Sequence, residues 1–139
     1  MFPANSVELI YMSHILEHVK RDELLATLSE MRRALVRGGT LRISVPDFDY
    51  ITEIYFSNNR EISAIEQPLM GGQDYAFNFH YTVFNRPYLE NLLHKSGFSV
   101  VRQWDPTYVE NHDFEDWASR NVEIGGKVYP ISLNVEAVK

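Results

Sequence analysis

The order of apolar patterns between residues 7 and 45 constrains the fold of this chain more than any other feature of its sequence. Residues 7–12 form a short apolar run of the kind found in strands covered on both faces. Residues 22–35 follow with leucine and methionine side chains on one helical stripe, which is typical of a helix packed on a core. Two glycines then turn the chain into residues 40–45, which are rich in β-branched side chains. A strand, a helix and a second strand in this order predict a right-handed βαβ unit and therefore an α/β fold.

The remaining residues predict further elements of the same fold. In chain order we expect a helix over 48–56, a long, partly ordered loop over 58–84, a helix over 88–95, a strand over 98–104, a short helix over 113–118 and a last strand over 131–138. The long loop is rich in aromatic residues, and loops of this length in compact domains are usually functional. Since no linker divides the sequence, we predict a single domain over residues 1–139.

Composition excludes several classes of function. The 139 residues contain no cysteine, which excludes disulfides, thiolate metal sites and cysteine nucleophiles. A formal net charge of −6, without clustered lysine and arginine, argues against nucleic-acid binding. No apolar run is long enough to span a membrane, and the N-terminal residues do not resemble a signal peptide. We therefore expect a cytoplasmic protein that contacts neither nucleic acid nor membrane.

The sharpest local motif is the H-x-x-E-H pattern of His14, Glu17 and His18. On a helix, histidines at this spacing can share one Zn²⁺, with the glutamate as general base, so zinc hydrolysis is one alternative function. A third protein ligand would then be needed. A second interpretation is structural, with local hydrogen bonds opening the helix that follows the first strand. In either case these residues follow the carboxyl end of a strand, where open α/β sheets bind ligands.

Several stretches, taken together, resemble the class I S-adenosylmethionine (SAM)-dependent methyltransferases. The matching stretches are residues 2–11, 13–19, 35–47, 96–101 and 134–139, and they stand in the family's order. Residues 69–73 and 78–81 are similar to a subgroup of small predicted methyltransferases. The resemblance implies a partial Rossmann-like methyltransferase sheet, made of the family's strands four to seven with flanking helices. It also implies SAM as cofactor and methyl transfer to a small-molecule acceptor that the residues do not identify.

Within this methyltransferase interpretation, the positions and chemistry of several residues predict the site. Ser13, His14 and Glu17 are expected to contact SAM, and His14 and His80 are expected to act in catalysis, with histidine able to take a proton near neutral pH. The predicted substrate contacts are Asp47, Gln73, Tyr75 and Tyr81. Two of these residues have a structural alternative, since Asp47 could cap the helix that follows it and His80 could be hydrogen-bonded within a packed aromatic segment. The methyltransferase interpretation assigns no metal ligand.

The match begins at the family's fourth strand. The family's glycine-rich SAM loop has no counterpart, because the sequence contains no Gly-x-Gly pattern. We therefore expect a methyltransferase-like domain that lacks the N-terminal, glycine-rich half of the cofactor site. The strand over 7–12 would lack its family neighbour, and an open apolar edge invites pairing. This predicts a homo-oligomer or a partner chain along the 7–12 edge, and it leaves a non-catalytic interaction module as another alternative.

Overall fold

The computed structural model describes residues 2–139, and its main feature is a four-stranded mixed sheet. In chain order the helices and strands are β1 (Val7–Ser13), α1 (Leu24–Ala34), β2 (Leu35–Pro46), α2 (Phe48–Ser57), α3 (Glu66–Met70), α4 (Arg86–Lys95), β3 (Val100–Gln103), β4 (Asn121–Ile124), β5 (Lys127–Pro130) and β6 (Ser132–Val138). The sheet order is β1-β2-β6-β3, while β4 and β5 form a separate hairpin. β1 and β2 run parallel, and β6 is antiparallel to both of its neighbours. The predicted α/β fold with a βαβ unit is confirmed.

One face of the sheet carries the main apolar core. The predicted stripe packs there: Leu24 and Leu28 of α1 are fully buried, as is Leu35, which the structure places at the start of β2. α4 packs on the same face through its leucines, and its first turn is capped by Asn85, whose side-chain oxygen accepts a hydrogen bond from the backbone N–H of Tyr88. α1 contacts β2, and α4 contacts α1, β3 and β6, so the two helices together cover this face of the sheet.

β2 begins five residues earlier than the predicted strand over 40–45. Leu35 already pairs with Val7, but the next paired residue is Thr40, which lies opposite Leu9. Residues 36–39 therefore form a bulge, and Gly38 adopts a left-handed φ of 77° there. The two predicted glycines thus turn the chain within the strand rather than ahead of it.

The opposite face of the sheet is polar, yet it is also buried. Arg42, Ser44, Asn134 and Glu136 lie under the segment 104–118. The Ser44 hydroxyl donates to Oδ1 of Asn134 at 2.6 Å, and Nδ2 of Asn134 donates to the carbonyl of Ala118 at 2.9 Å. Hydrogen bonds from Arg42 to the carbonyl of Glu110, from Trp104 to the carbonyl of Ile43 and from Asn134 to the carbonyl of Ala118 fix the 104–118 segment against the sheet.

The short helix predicted over 113–118 is not formed, and this segment consists of turns. Oδ1 of Asp116 accepts from the backbone N–H of Ala118 at 3.0 Å, and its Oδ2 accepts from the Tyr11 hydroxyl at 2.5 Å. A side chain that satisfies local backbone groups competes with helix formation, and the contact to β1 favours the turn further.

The predicted long loop over 58–84 is partly ordered, as expected. It contains a 3-10 turn, Ile62–Ala64, followed by α3. The β4–β5 hairpin turns at Gly125 and Gly126, both with left-handed φ angles, and packs Tyr129 against α2 in a second apolar cluster. Together α2, α3 and the hairpin form a wall beyond the carboxyl ends of β1 and β2. No helix within residues 2–139 has the length and hydropathy of a membrane span.

Candidate functional site

A cavity of about 500 Å³ opens at the carboxyl ends of β1 and β2. The end of β1 and the 3-10 turn Leu16–His18 form one wall, and α2, β4 and the segment 67–80 form the others. Parallel strands of an open α/β sheet present their ligand site at this edge. The location expected from the sequence therefore coincides with a cavity at the carboxyl ends of the parallel strands.

The predicted site residues divide into two groups. Ser13, His14, Glu17, Tyr75 and His80 all lie in the walls of the cavity, although they come from segments far apart in sequence. Asp47, Gln73 and Tyr81 are not part of these walls, and their predicted roles stay predictions.

The residues outside the walls have identifiable surroundings. Asp47 is buried, and its Oδ1 accepts from the backbone N–H of Asp49 at 3.0 Å, so the capping role foreseen for it is present at α2. Gln73 is exposed in a left-handed conformation with φ of 54°. Tyr81 lies beside a second, shallower cavity together with Lys20.

His14 follows β1 in a left-handed conformation, with φ of 50°, which is uncommon for a residue other than glycine. Its Nε2 lies 2.7 Å from Oγ of Ser132, and that hydroxyl donates to the carbonyl of Trp117 at 2.7 Å. Nε2 must therefore carry the ring proton and donate it to Ser132. Burial, with a smaller contribution from His80, lowers the pKa of His14 to about 4, so the ring is neutral at pH 7.

Glu17 is the most unusual side chain of the site. It is only 1% exposed, and neither carboxyl oxygen has a hydrogen-bond partner among residues 2–139. Burial raises its pKa to about 8, so the carboxyl is mostly protonated at pH 7. Oε1 lies 3.4 Å from Nδ1 of His14 and 4.0 Å from Nε2 of His18. Buried polar groups without partners are rare, and perturbed carboxyls in clefts are typical of functional sites.

His18 and His80 stand edge to face, with ring centroids 4.9 Å apart. Nδ1 of His18 lies 3.0 Å from the carbonyl of Phe79, and Nδ1 of His80 lies 3.1 Å from the carbonyl of Pro68. Since a carbonyl can only accept, both Nδ1 atoms carry the proton and both Nε2 atoms keep a free lone pair. Burial, with a contribution from His18, lowers the pKa of His80 below its ordinary value.

The helix that the zinc hydrolase alternative requires is not formed by residues 14–18. His14 has a left-handed backbone, and Leu16–His18 make a single 3-10 turn. The two histidines therefore do not share one helical face, and the ring of His14 is bonded to Ser132. Within residues 2–139, the cluster with metal-ligand spacing contains His80 in place of His14.

Sequence reasoning did not identify Ser132 and Trp117 as parts of the site. Ser132 opens β6, and because β6 is antiparallel to β2 its start lies at the edge where β2 ends. Trp117 lies in the cavity wall, with its ring centroid 5.7 Å from that of His14. The signal for Ser132 was a hydroxyl at the start of the last strand, which becomes informative only once the strand direction is known.

Comparison with known proteins identifies the family. Residues 1–103 match the model of a family described as a methyltransferase domain. None of the curated proteins compared matches the chain. A SAM-dependent methyltransferase from Archaeoglobus fulgidus superposes with a TM-score of 0.57 at 14% identity, covering 99% of this chain and 62% of that one. One from Thermotoga maritima gives a TM-score of 0.55 at 19% identity, covering 99% of this chain and 58% of that one.

The chain thus spans only about three fifths of the length of these two solved relatives. At identities this low, the superpositions show the fold alone, which is the Rossmann-like fold of the methyltransferases. The family model adds sequence evidence over 103 of the 139 residues, including β1, α1, β2 and the segments that carry Glu17 and His80. The chain therefore belongs to the methyltransferase-domain family.

Proposed function

We propose that this chain binds a small nucleophilic acceptor in the cavity at the ends of β1 and β2 and positions it for methylation by SAM. The location of the cavity carries the proposal, since it opens at the edge where sheets of this class bind their ligands. Its volume of about 500 Å³ suits a small molecule. SAM supplies an electrophilic methyl group, so the main task of the protein is to hold the acceptor in line with it.

The side chains around the cavity are suited to bind the end of SAM that carries the methyl group, but not its adenosine. Ser13, His14 and Glu17, which the methyltransferase interpretation assigns to the cofactor, lie together on one wall. The partnerless carboxyl of Glu17 is free to form a hydrogen bond with a bound molecule. By contrast, the sequence contains no Gly-x-Gly turn that would let the backbone approach the adenosine closely. The three residues are therefore proposed to hold the end of SAM that carries the methyl group.

His80 is better suited than His14 to accept a proton from the acceptor. Its Nδ1 is fixed on the carbonyl of Pro68, and its Nε2 keeps a free lone pair. Because burial lowers the pKa of His80, the ring is neutral at physiological pH and ready to act as a base. His14 already donates from Nε2 to Ser132 and directs Nδ1 towards Glu17, so its proposed part in catalysis is to orient the neighbouring groups.

The acceptor contacts are proposed on the wall opposite β1. Tyr75 lies there with more than half of its side-chain surface exposed, so its hydroxyl can reach a bound acceptor. Gln73 adjoins this wall along the chain. Asp47 and Tyr81 would contact only an acceptor that extends beyond the cavity.

Calorimetric titration of S-adenosylhomocysteine (SAH), in buffer containing EDTA, tests the proposal. We expect binding with Kd below about 1 mM, which corresponds to a modest site of about −4 kcal/mol. Ala64→Trp, which fills the cavity from its 3-10 turn, should weaken binding at least ~10-fold. Ala26→Trp is the matched control on the exposed face of α1 and should leave it unchanged. The absence of any heat at several millimolar SAH would contradict the proposal.

A second candidate function is assembly through the edge of β1. β1 pairs with β2 on one side only, so its other side presents unpaired backbone groups beside half-buried Leu9, Ile10 and Tyr11. Exposed edges of this kind pair with other strands. We propose a homodimer, or a complex with a partner chain, along this edge.

The edge proposal predicts that the purified chain self-associates. Light scattering over a hundredfold range of concentration should show the mean mass rise towards twice the monomer mass. Charge on an edge strand blocks such pairing, so Leu9→Lys should keep the chain monomeric, whereas Leu25→Lys on the exposed side of α1 should not. A wild-type mass that stays at the monomer value throughout would count against the edge.

A further inference from the structure

Three side chains converge on the cavity wall beneath the segment 67–80. Glu17, His18 and His80 each place one nitrogen or oxygen ligand atom within 4.8 Å of those of the other two. Oε1 of Glu17 and Nε2 of His18 are 4.0 Å apart. The methyl-transfer proposal uses Glu17 and His80 separately and gives His18 no role. The convergence of all three side chains is therefore a separate feature of the molecule.

The two histidines are oriented in the way that metal-bound histidines are. Each ring directs Nδ1–H at a backbone carbonyl, that of Phe79 for His18 and that of Pro68 for His80. Metal-ligating histidines almost always donate their second ring N–H to a carbonyl or carboxylate, which fixes the tautomer and the ring plane. The free Nε2 lone pairs are therefore held in place before any ligand arrives.

Glu17 supplies the third ligand. Its carboxyl is 1% exposed and has no hydrogen-bond partner in the described part of the chain, a costly arrangement for a polar group. A cation between Glu17 and the two Nε2 atoms would give this carboxyl its partner. His14 does not belong to the set, because its Nε2 donates to Ser132.

The backbone holds His80 against the Glu17 turn even though the two are far apart in sequence. The N–H of Tyr81 donates to the carbonyl of Glu17 at 2.8 Å, and the N–H of His80 donates to the carbonyl of Met70 at 3.1 Å. Gly71 allows this close packing, since a Cβ there would lie 2.5 Å from the carbonyl oxygen of Asn78 and 3.1 Å from the ring of His80. The cluster is therefore built into the fold and does not result from flexible side chains that happen to meet.

We propose that Glu17, His18 and His80 bind one divalent transition-metal ion. Two imidazoles and one carboxylate suit Zn²⁺, Co²⁺, Ni²⁺ or Fe²⁺, whereas Mg²⁺ and Ca²⁺ prefer all-oxygen sites. Bonds of about 2.0–2.2 Å require the ligand atoms to lie roughly 3.5 Å apart, so binding needs only a small approach, chiefly by the Glu17 carboxyl, which no hydrogen bond restrains. With three protein ligands, the ion keeps at least one position open towards the cavity. The inference does not depend on methyl transfer, and a bound ion would occupy the Nε2 of His80 and the Glu17 carboxyl in place of the methyl-transfer ligands.

Titration of ZnCl₂ and of CoCl₂ into EDTA-stripped and desalted protein at pH 7 tests the site. We expect one ion per chain with Kd below about 10 μM, and for Co²⁺ a visible absorption spectrum that shows nitrogen and oxygen ligation. His18→Ala and His80→Ala should each weaken binding at least ~100-fold, and Glu17→Gln at least ~10-fold. His94→Ala is the matched control, because His94 lies on α4 and its Nδ1 contacts the carbonyl of Phe98.

A thermal-shift measurement keeps the test valid if an alanine variant folds poorly. Zn²⁺ should raise the Tm of the wild type and of His94→Ala, but not that of Glu17→Gln or His80→Gln. Unchanged affinity in the His18→Ala/His80→Ala double variant would overturn the site. So would a stoichiometry that falls in His94→Ala, or the absence of binding to the wild type. SAH titration in EDTA is independent of all these outcomes, so failure of either proposal is recognisable separately.

Discussion

In metal-free buffer, Glu17→Gln will be more stable than the wild type, and the difference in unfolding free energy will widen steadily from pH 5 to pH 8. Burial raises the pKa of Glu17 from 4.5 to about 8, so the folded chain keeps a proton that the unfolded chain loses above pH 4.5. Stability therefore falls as pH rises through this window, by about 1.4 kcal/mol per pH unit. By pH 8 the difference approaches roughly 4–5 kcal/mol, and glutamine removes it because it cannot ionise.

The wild-type curve itself has a predicted shape. The titratable groups that face Glu17 are His14, His18 and His80. The pKa of His14 is lowered to about 4, so its contribution to stability rises with pH up to about 6.5 and opposes that of Glu17. The lowered pKa of His80 contributes in the same direction as that of His14, so the wild type should not lose stability from pH 4.5 to 6.5 and should lose it from there towards pH 8.

Urea unfolding of both proteins in EDTA at pH 5, 6, 7 and 8 measures the effect. Glu66→Gln, on the exposed side of α3, is the control for removing a carboxylate. The unfolding free energy of Glu66→Gln should change with pH in the same way as that of the wild type. A constant difference between Glu17→Gln and wild type across the four pH values would show that Glu17 ionises normally in the folded chain.

The second large effect is expected at the buried ion pair on the polar face of the sheet. Nε of Arg42 donates to Oε2 of Glu136 at 3.1 Å, and the two residues are 9% and 4% exposed. Nε of Arg102 donates to Oε1 of the same carboxylate at 2.5 Å. Glu136→Ala leaves the Arg42 guanidinium buried without its counter-charge, and we expect a loss of about 3–5 kcal/mol in unfolding free energy.

The double variant Arg42→Met/Glu136→Leu separates loss of the pair from loss of packing. Since both charges are removed together, it should recover most of the stability lost in Glu136→Ala. Glu90→Ala is the control, because its pair with Arg86 on α4 is solvent-exposed and should contribute less than about 1 kcal/mol. A loss below 1 kcal/mol for Glu136→Ala in urea unfolding would show that Arg42 finds another partner or solvent.

Local periodicity predicted much of the fold. The stripe of α1 and the β-branched run of β2 depend on neighbours within a few residues, and both are present. The prediction of a helix over 113–118 was wrong because long-range contacts determine the conformation of this segment. Asp116, for example, is hydrogen-bonded to Tyr11 on β1. The alternation of apolar and polar residues in β6 correctly predicts which side chains share a face of the sheet. It does not predict that the polar face is covered by a distant segment.

The sequence predicted the position of the site better than it predicted which residues come together there. His14 and Glu17 were placed at a strand end by the βαβ pattern, and that edge carries the cavity. The approach of His80 to Glu17 depends on the backbone bond from Tyr81 to the Glu17 carbonyl, which no local pattern encodes. The unusual ionisation of Glu17 follows from burial by these remote segments, so it was also invisible at the level of the motif.

The position of β6 sets the order in which the sheet can assemble. β6 follows every other strand in sequence, yet it lies between β2 and β3. The βαβ unit of β1, α1 and β2 closes over short chain distances, whereas partners such as Ser44 and Asn134 are separated by 90 residues. During synthesis, β3 has no strand to pair with until residues 132–138 have been made. The βαβ unit is therefore expected to form first. The pairing of β6 with β2, which closes the long loop between them, is then expected to limit the folding rate.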